Sequence, residues 1–113
     1  MTVKYKYSRC VNFQVPDRDK AVRLYHDLMG LNIVSTDERF VELDASPIRM
    51  FVEQGPFLAP IMEIIVNSLE AARDELVKHG CTVVRWEGAG KPCYLRDPFG
   101  VHFNLWEDPK EFE

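Results

Sequence analysis

The sequence predicts an α+β fold: two βαβββ modules forming a curved mixed sheet, with helices outside and a cleft inside. Three observations carry this. Short segments of alternating apolar and polar residues recur along the chain, separated by turn residues. Two stretches, Ala21-Leu24-Tyr25-Leu28 and Leu69-Ala72-Leu76-Val77, show helical spacing instead. The two halves also match at a fixed offset. Val15 and Val66, Asp17 and Ser68, and Ala21 and Ala72 are each 51 residues apart, and Gly30 and Gly80 are 50 apart. Each half holds one helix and four strands, too little to bury its own sheet, so paired halves are expected.

Val3 to Tyr7 alternates weakly and reads as an extra edge segment. Arg9 to Val15 is the first clear strand, with Val11, Phe13 and Val15 on one face and Cys10, Asn12 and Gln14 on the other. Asp17 is placed to cap the next helix, and Gly30 to end it. Three short strands are predicted next, Asn32 to Ser35, Arg39 to Leu43 and Ile48 to Glu53. Gln54 to Pro60 reads as a linker. Ile61 to Val66 is the strand that opens the second half, Ser68 the second N-cap and Gly80 the second helix stop. Thr82 to Trp86 is a strand, and Asp97-Pro98-Phe99-Gly100 is the turn of the closing hairpin. Asp108 to Glu113 reads as a frayed charged tail. The expected organisation is one domain over 1–113, with module 1 at about 9–53, a linker at 54–60 and module 2 at about 61–107.

The strand after the hairpin turn carries the most informative face. Val101, Phe103 and Leu105 point one way, while His102, Asn104 and Trp106 point the other. An imidazole, a carboxamide and an indole suit a pocket wall better than a solvated face. Composition narrows the functional classes. The formal net charge is −4 with scattered basic residues, which argues against nucleic-acid binding. No apolar run has the length of a membrane span, and the opening MTVKYKYSRC lacks the apolar core of a signal peptide. Three cysteines, Cys10, Cys81 and Cys93, with no CxxC pair favour reduced thiols in a cytoplasm. Gly88-Ala89-Gly90-Lys91 lacks the spacing of a phosphate loop, and no G-x-S-x-G elbow is present. A Cys10/His102 nucleophile pair has no evident third group to orient it.

Val15-x-Asp17, Ala21, Leu24-Tyr25, Leu28-x-Gly30-Leu31 and Asp97-Pro98-Phe99-Gly100 together resemble the vicinal oxygen chelate superfamily. That superfamily includes glyoxalase I, the fosfomycin- and bleomycin-resistance proteins and the extradiol dioxygenases. The turn matches the family's D-P-x-G-N, with Val101 in place of the usual Asn. The resemblance spans Arg9 to Glu107. It is specific for the fold and not for one reaction. It implies a homodimer as well, since single-chain members of this length commonly pair.

The resemblance also implies four metal-ligand positions in metal-dependent members. They fall here on Cys10, Ile61 and Asn104, with Met50 aligned to the fourth. A thiol, an alkyl group, a carboxamide and a thioether do not suit the divalent ions such sites hold. The groups left for a metal are Glu63 and His102. Glu107 lies on the opposite face from Asn104.

Two functional readings result. The first is a metal-free, cofactor-free small-molecule binding protein of the bleomycin-resistance type. Its pocket would be lined by Cys10, Asn12, Gln14, Met50, Ile61, Glu63, Ile65, His102, Asn104 and Trp106. Trp106 and Trp86 would stack on a flat ligand, and Glu63 would meet a cationic group. The second is a glyoxalase- or fosfomycin-resistance-like lyase, isomerase or transferase with shifted ligands and a divalent metal. Loss of all four ligand positions favours binding over catalysis. The expected partners are a small ligand, flat or cationic, and a second copy of the chain, with no nucleic acid and no membrane.

Overall fold

The structure is a computed structural model that describes residues 2–113. Its class is α+β: eight strands of mixed direction and two helices. The strands are β1 (Tyr5–Val15), β2 (Asn32–Thr36), β3 (Phe40–Ala45), β4 (Ile48–Gln54), β5 (Leu58–Val66), β6 (Thr82–Trp86), β7 (Cys93–Arg96) and β8 (His102–Glu107). The helices are α1 (Arg18–Arg23), continued by a π-helical turn over Leu24–Leu28, and α2 (Leu69–Lys78). The chain divides into two compact units. The first is Arg9–Ile61; the second holds Met62–Glu113 with the residues up to Ser8.

Within the first unit the strand order is β2-β3-β4-β1, with β1 parallel to β4. Within the second it is β5-β8-β7-β6, with β5 parallel to β8. Each is a βαβββ module with the same internal connectivity. The repeat reaches fine detail. Asp17 caps α1 by accepting the Lys20 N–H, and Ser68 caps α2 by accepting that of Ala71, again 51 positions on. The ladder irregularity between Ile33 and Ser35 in β2 recurs between Val83 and Arg85 in β6.

Each module has its own core on the side of its sheet that carries the helix. In the first unit Val41, Leu43 and Val52 are buried, with Val15, Ala21, Val22, Tyr25, Leu31 and Met50 packed against them. In the second, Ile64, Val66, Phe103, Leu105, Cys93 and Leu95 pack with Leu69 and Ala72 of α2. Val11 is buried and Phe13 lies 6.4 Å from Tyr25, so the alternation expected of β1 holds.

Four local expectations are corrected. The stripe on α1 is not Ala21-Leu24-Tyr25-Leu28, since Leu28 is 78% exposed and Leu24 is exposed too. The π-helical turn inserts an extra residue and rotates the chain beyond it, so Ala21, Val22 and Tyr25 meet the core and Leu31 replaces Leu28. The N-terminal segment is not a separate edge piece but the start of β1. The strand read as beginning at Ile61 starts at Leu58, inside the stretch read as linker. The tail is not frayed over Pro109–Phe112, which form a 3-10 turn capped by Asp108.

The hairpin turn is built as the sequence indicates. Asp97 accepts the amides of Phe99 and Val101 through Oδ1, and the Gly100 N–H closes on the Asp97 carbonyl. Gly80 ends α2 at φ +101°, a left-handed conformation, with Pro98 Cγ 3.0 Å from where a Cβ would sit. Among the described residues no helix is long and apolar enough to cross a membrane.

Candidate functional site

The side of each sheet away from its helix carries the chemistry, and each unit has its own set. In the second unit, register places Glu63 opposite Asn104 and Ile65 opposite Trp106 on the parallel β5–β8 pair. Asn104 in turn faces Tyr94 on β7, and His102 faces Arg96. Phe103 and Leu105 are in the core, so His102, Asn104 and Trp106 occupy the other face of β8. Five predicted site residues, Glu63, Ile65, His102, Asn104 and Trp106, therefore share one sheet face. Trp106 is 37% exposed, a large indole on offer to a ligand. Glu63 is half-buried, and the Ser8 hydroxyl donates to its Oε2 at 2.7 Å.

Asn104 is committed elsewhere. It is 4% exposed, and its Oδ1 accepts the Cys93 backbone N–H at 2.8 Å. That bond ties β8 to the start of β7 and commits part of the acceptor capacity of the carboxamide oxygen, a weak neutral donor for a metal. Glu107, on the opposite face, accepts the Leu69 N–H at 2.8 Å and so helps cap α2. Beside this face the Arg85 guanidinium sits 5.4 Å from the Tyr94 ring centroid and bonds Glu87 at 2.6 Å.

In the first unit the register of β1 and β4 pairs Cys10 with Arg49, Asn12 with Phe51 and Gln14 with Glu53. Cys10, Asn12 and Gln14 do share a face. Gln14 folds onto the adjoining loop, where its Nε2 donates to the Pro56 carbonyl at 2.7 Å and its Cδ lies 2.9 Å from a Cβ built on Gly55. Met50 is not on this face. It pairs with Leu43 and packs into the helix-side core, and this corrects the predicted set. The error is one residue, and in a strand one residue exchanges the faces. The register-equivalent of Asn104 is Phe51.

The residues missed are the ones that alternate with Met50 and Val52. Arg49 makes a two-bond pair with Glu42, at 2.9 and 3.1 Å, while stacking 5.3 Å from the Phe51 centroid. Phe51 meets Phe40 edge-on at 6.4 Å. Arg39 pairs with Glu53 at 3.5 Å. Glu42 and Glu53 are only 8% and 6% exposed. The signal was present in the alternation Arg49-Met50-Phe51-Val52-Glu53, since an arginine, an aromatic and an acid alternating with Met50 and Val52 are an unusual set for a plain solvated face.

The groups at the implied metal positions do not make a donor set for a divalent ion. Ile61 is an alkyl side chain with no exposure. The Asn104 oxygen already accepts a backbone amide, Phe51 and Met50 offer no oxygen or nitrogen, and Arg49 beside Cys10 is cationic. Among the described residues no three His, Cys, Asp or Glu side chains converge. His26 and His79 are exposed and bond backbone carbonyls near the ends of their helices through Nδ1, to Leu31 at 2.7 Å and to Glu75 at 2.8 Å.

Comparison with known proteins agrees with this architecture. An extradiol ring-cleaving dioxygenase from Brevibacterium fuscum superposes with a TM-score of 0.61 at 22% identity, over 87% of this chain and 31% of its own. Homoprotocatechuate 2,3-dioxygenase from the same organism, as an anaerobic complex with 3,4-dihydroxyphenylacetate, gives 0.61 at 22% identity, over 87% of this chain and 35% of its own. The chain thus spans about a third of those dioxygenases. A hypothetical protein from Bacillus halodurans gives 0.65 at 14% identity, over 92% of this chain and 94% of its own. No curated protein sequence matches. The family model described as a glyoxalase-like domain matches residues 10–106, nearly the whole chain. The chain therefore belongs to the glyoxalase-like domain family of the vicinal oxygen chelate superfamily.

Proposed function

We propose that this protein binds a small organic molecule without a metal, in the manner of the sequestering members of its superfamily. The observation that carries the reading is the chemistry at the ligand positions. They hold a thiol beside an ion-paired arginine, an alkyl group, a carboxamide already bonded to backbone, and a phenyl ring where the thioether was expected. A lyase, isomerase or dioxygenase of this superfamily needs oxygen and nitrogen donors there. Binding needs only an apolar wall, an aromatic plate and a few polar anchors. Ile65, Trp106 and Glu63 supply these on one face of the second unit. The other partners proposed are a second copy of the chain and no nucleic acid or membrane. Cys10, Cys81 and Cys93 are not joined in disulfides, which fits a reducing cytoplasm.

The test is calorimetric titration of metal-stripped protein with nickel, zinc, manganese and magnesium. No stoichiometric binding is expected. Sub-micromolar affinity that disappears in Glu63→Gln and His102→Ala would overturn the reading in favour of an enzyme with shifted ligands.

A further inference from the structure

Five glutamates in and beside the strands, Glu42, Glu53, Glu63, Glu87 and Glu107, differ in what compensates them. Glu42, Glu53 and Glu87 are each held by a guanidinium, from Arg49, Arg39 and Arg85. Glu107 is used by the α2 N-terminus. Glu63 is different. It is half-buried on β5, its partner is a neutral hydroxyl, and among the described residues no cation pairs with it. A half-buried carboxylate answered by one hydroxyl keeps acceptor capacity for a further donor. Glu42, Glu53 and Glu87 each have an arginine in that place; Glu63 does not.

The surroundings specify that group. Ser8 donates to Oε2, which fixes the carboxylate and leaves Oε1 to accept from a ligand. Ser8 belongs to the same compact unit as Glu63. The start of the chain is anchored there by Asn67, which accepts the Lys4 N–H and donates to the Thr2 carbonyl, and by Tyr5, whose hydroxyl donates to Glu75. The serine is therefore carried on a fastened strand and not on a loose terminus. Trp106 lies on the same face, two residues along β8 from the register partner of Glu63; strands about 4.8 Å apart with a rise of about 3.3 Å per residue put the two backbones about 8 Å apart. One small molecule can span that distance. Its ring would lie on the indole face while its cation, on the arm, meets the carboxylate beyond the indole.

Resting on the binding reading, we propose that Glu63, positioned by Ser8, is a cation-recognition subsite. The ligand class it selects is a flat aromatic body bearing an ammonium or guanidinium group on a short arm, with the body over Trp106. Ser8 acts through Glu63 as a positioning residue.

The probes are tryptamine and indole-3-propionate, which share ring and arm and differ in the sign of the charge. Calorimetry at low ionic strength is expected to show tryptamine binding at least about tenfold more tightly, the worth of a charge-assisted contact. Glu63→Gln, which keeps the shape and can still accept from Ser8, should abolish the preference. Glu63→Asp should retain most of it. Ser8→Ala should reduce tryptamine affinity several-fold, and Ser8→Thr should restore it. Trp106→Ala should weaken both probes alike. Thermal melts of each variant establish that it folds. A preference that survives in Glu63→Gln, or the binding of neither probe, would overturn the subsite. Equal binding of both probes would overturn the subsite and leave the binding reading standing. Stoichiometric metal binding would overturn the binding reading whatever the probes do.

Discussion

Single side chains on β8 divide their labour by parity. Phe103 is in the core and Trp106 is on the opposite, accessible face. Phe103→Ala should therefore cost about 3–5 kcal/mol of stability, as core aromatics do. Trp106→Ala should cost the fold less but weaken binding of a flat ligand by more than about tenfold, since stacking and lost area together exceed about 1.4 kcal/mol. Denaturant melts and a ligand titration on both variants check this, and the reverse ranking would mean the faces are exchanged. Asn104 is the residue whose role the fold decides. Asn104→Leu removes the acceptor of the Cys93 amide inside a buried pair, so a loss of about 1–3 kcal/mol is expected in urea unfolding. A neutral result would mean that the amide finds another acceptor.

Turns and caps set where each element begins, and two of them are acid-sensitive. Asp37 accepts the amides of Phe40 and Arg39, both at 2.7 Å, and so shapes the β2–β3 turn. Those bonds, Phe40's first, hold its carboxyl below the ordinary 3.8. Asp44 is lowered as well, by the Ser46 hydroxyl and then the Ser46 amide. Both folded pKa values lie below their unfolded ones, so on acidification the unfolded chain takes up protons first. The stabilisation is fully present above the unfolded value and is lost as pH falls through the folded one. Melting temperature should accordingly fall below about pH 4. The fall should be shallower in the Asp37→Asn/Asp44→Asn double variant; an unchanged slope would remove these turns from the account. At the alkaline end the sensitive group is Tyr5. Burial first, then its bond to Glu75, pushes the hydroxyl up, so stability should decline above about pH 10, where the unfolded tyrosine ionises.

At the scale of the whole molecule, the duplicated module leaves apolar side chains uncovered in both units. Leu24, Leu28, Met29, Ile33 and Val34 are exposed in the first, and Val77, Val83 and Val84 in the second. β2 and β6 end their strand orders, and edge strands of this kind need cover. The proposed homodimer would supply it. Sedimentation at micromolar concentration should give twice 13.1 kDa, and a clean monomer would sink the proposal.

The βαβββ duplication, both N-caps, the Asp97–Gly100 turn and the two faces of β1 and β8 are legible in residue order alone. These depend on spacing between neighbours in the chain, and spacing survives without coordinates. Residue order placed His102, Asn104 and Trp106 on one face for the same reason, and the family resemblance brought Glu63 into the same predicted pocket. Packing in three dimensions settled the remainder. The register of β4 against β1 and β3 decides that Met50 is on the core side and that Arg49, Phe51 and Glu53 are on the other; the alternation separates the two sets, but which set faces the helix is set by pairing, and a one-residue slip reverses it. Only the fold shows that Leu28 turns outward, since the π-helical turn changes the helical period midway. Only three-dimensional pairing reveals that Glu42 and Glu53 meet arginines while Glu63 meets Ser8, 55 residues away in sequence. Charge compensation is a property of the groups within a few ångströms, and chain order does not encode it.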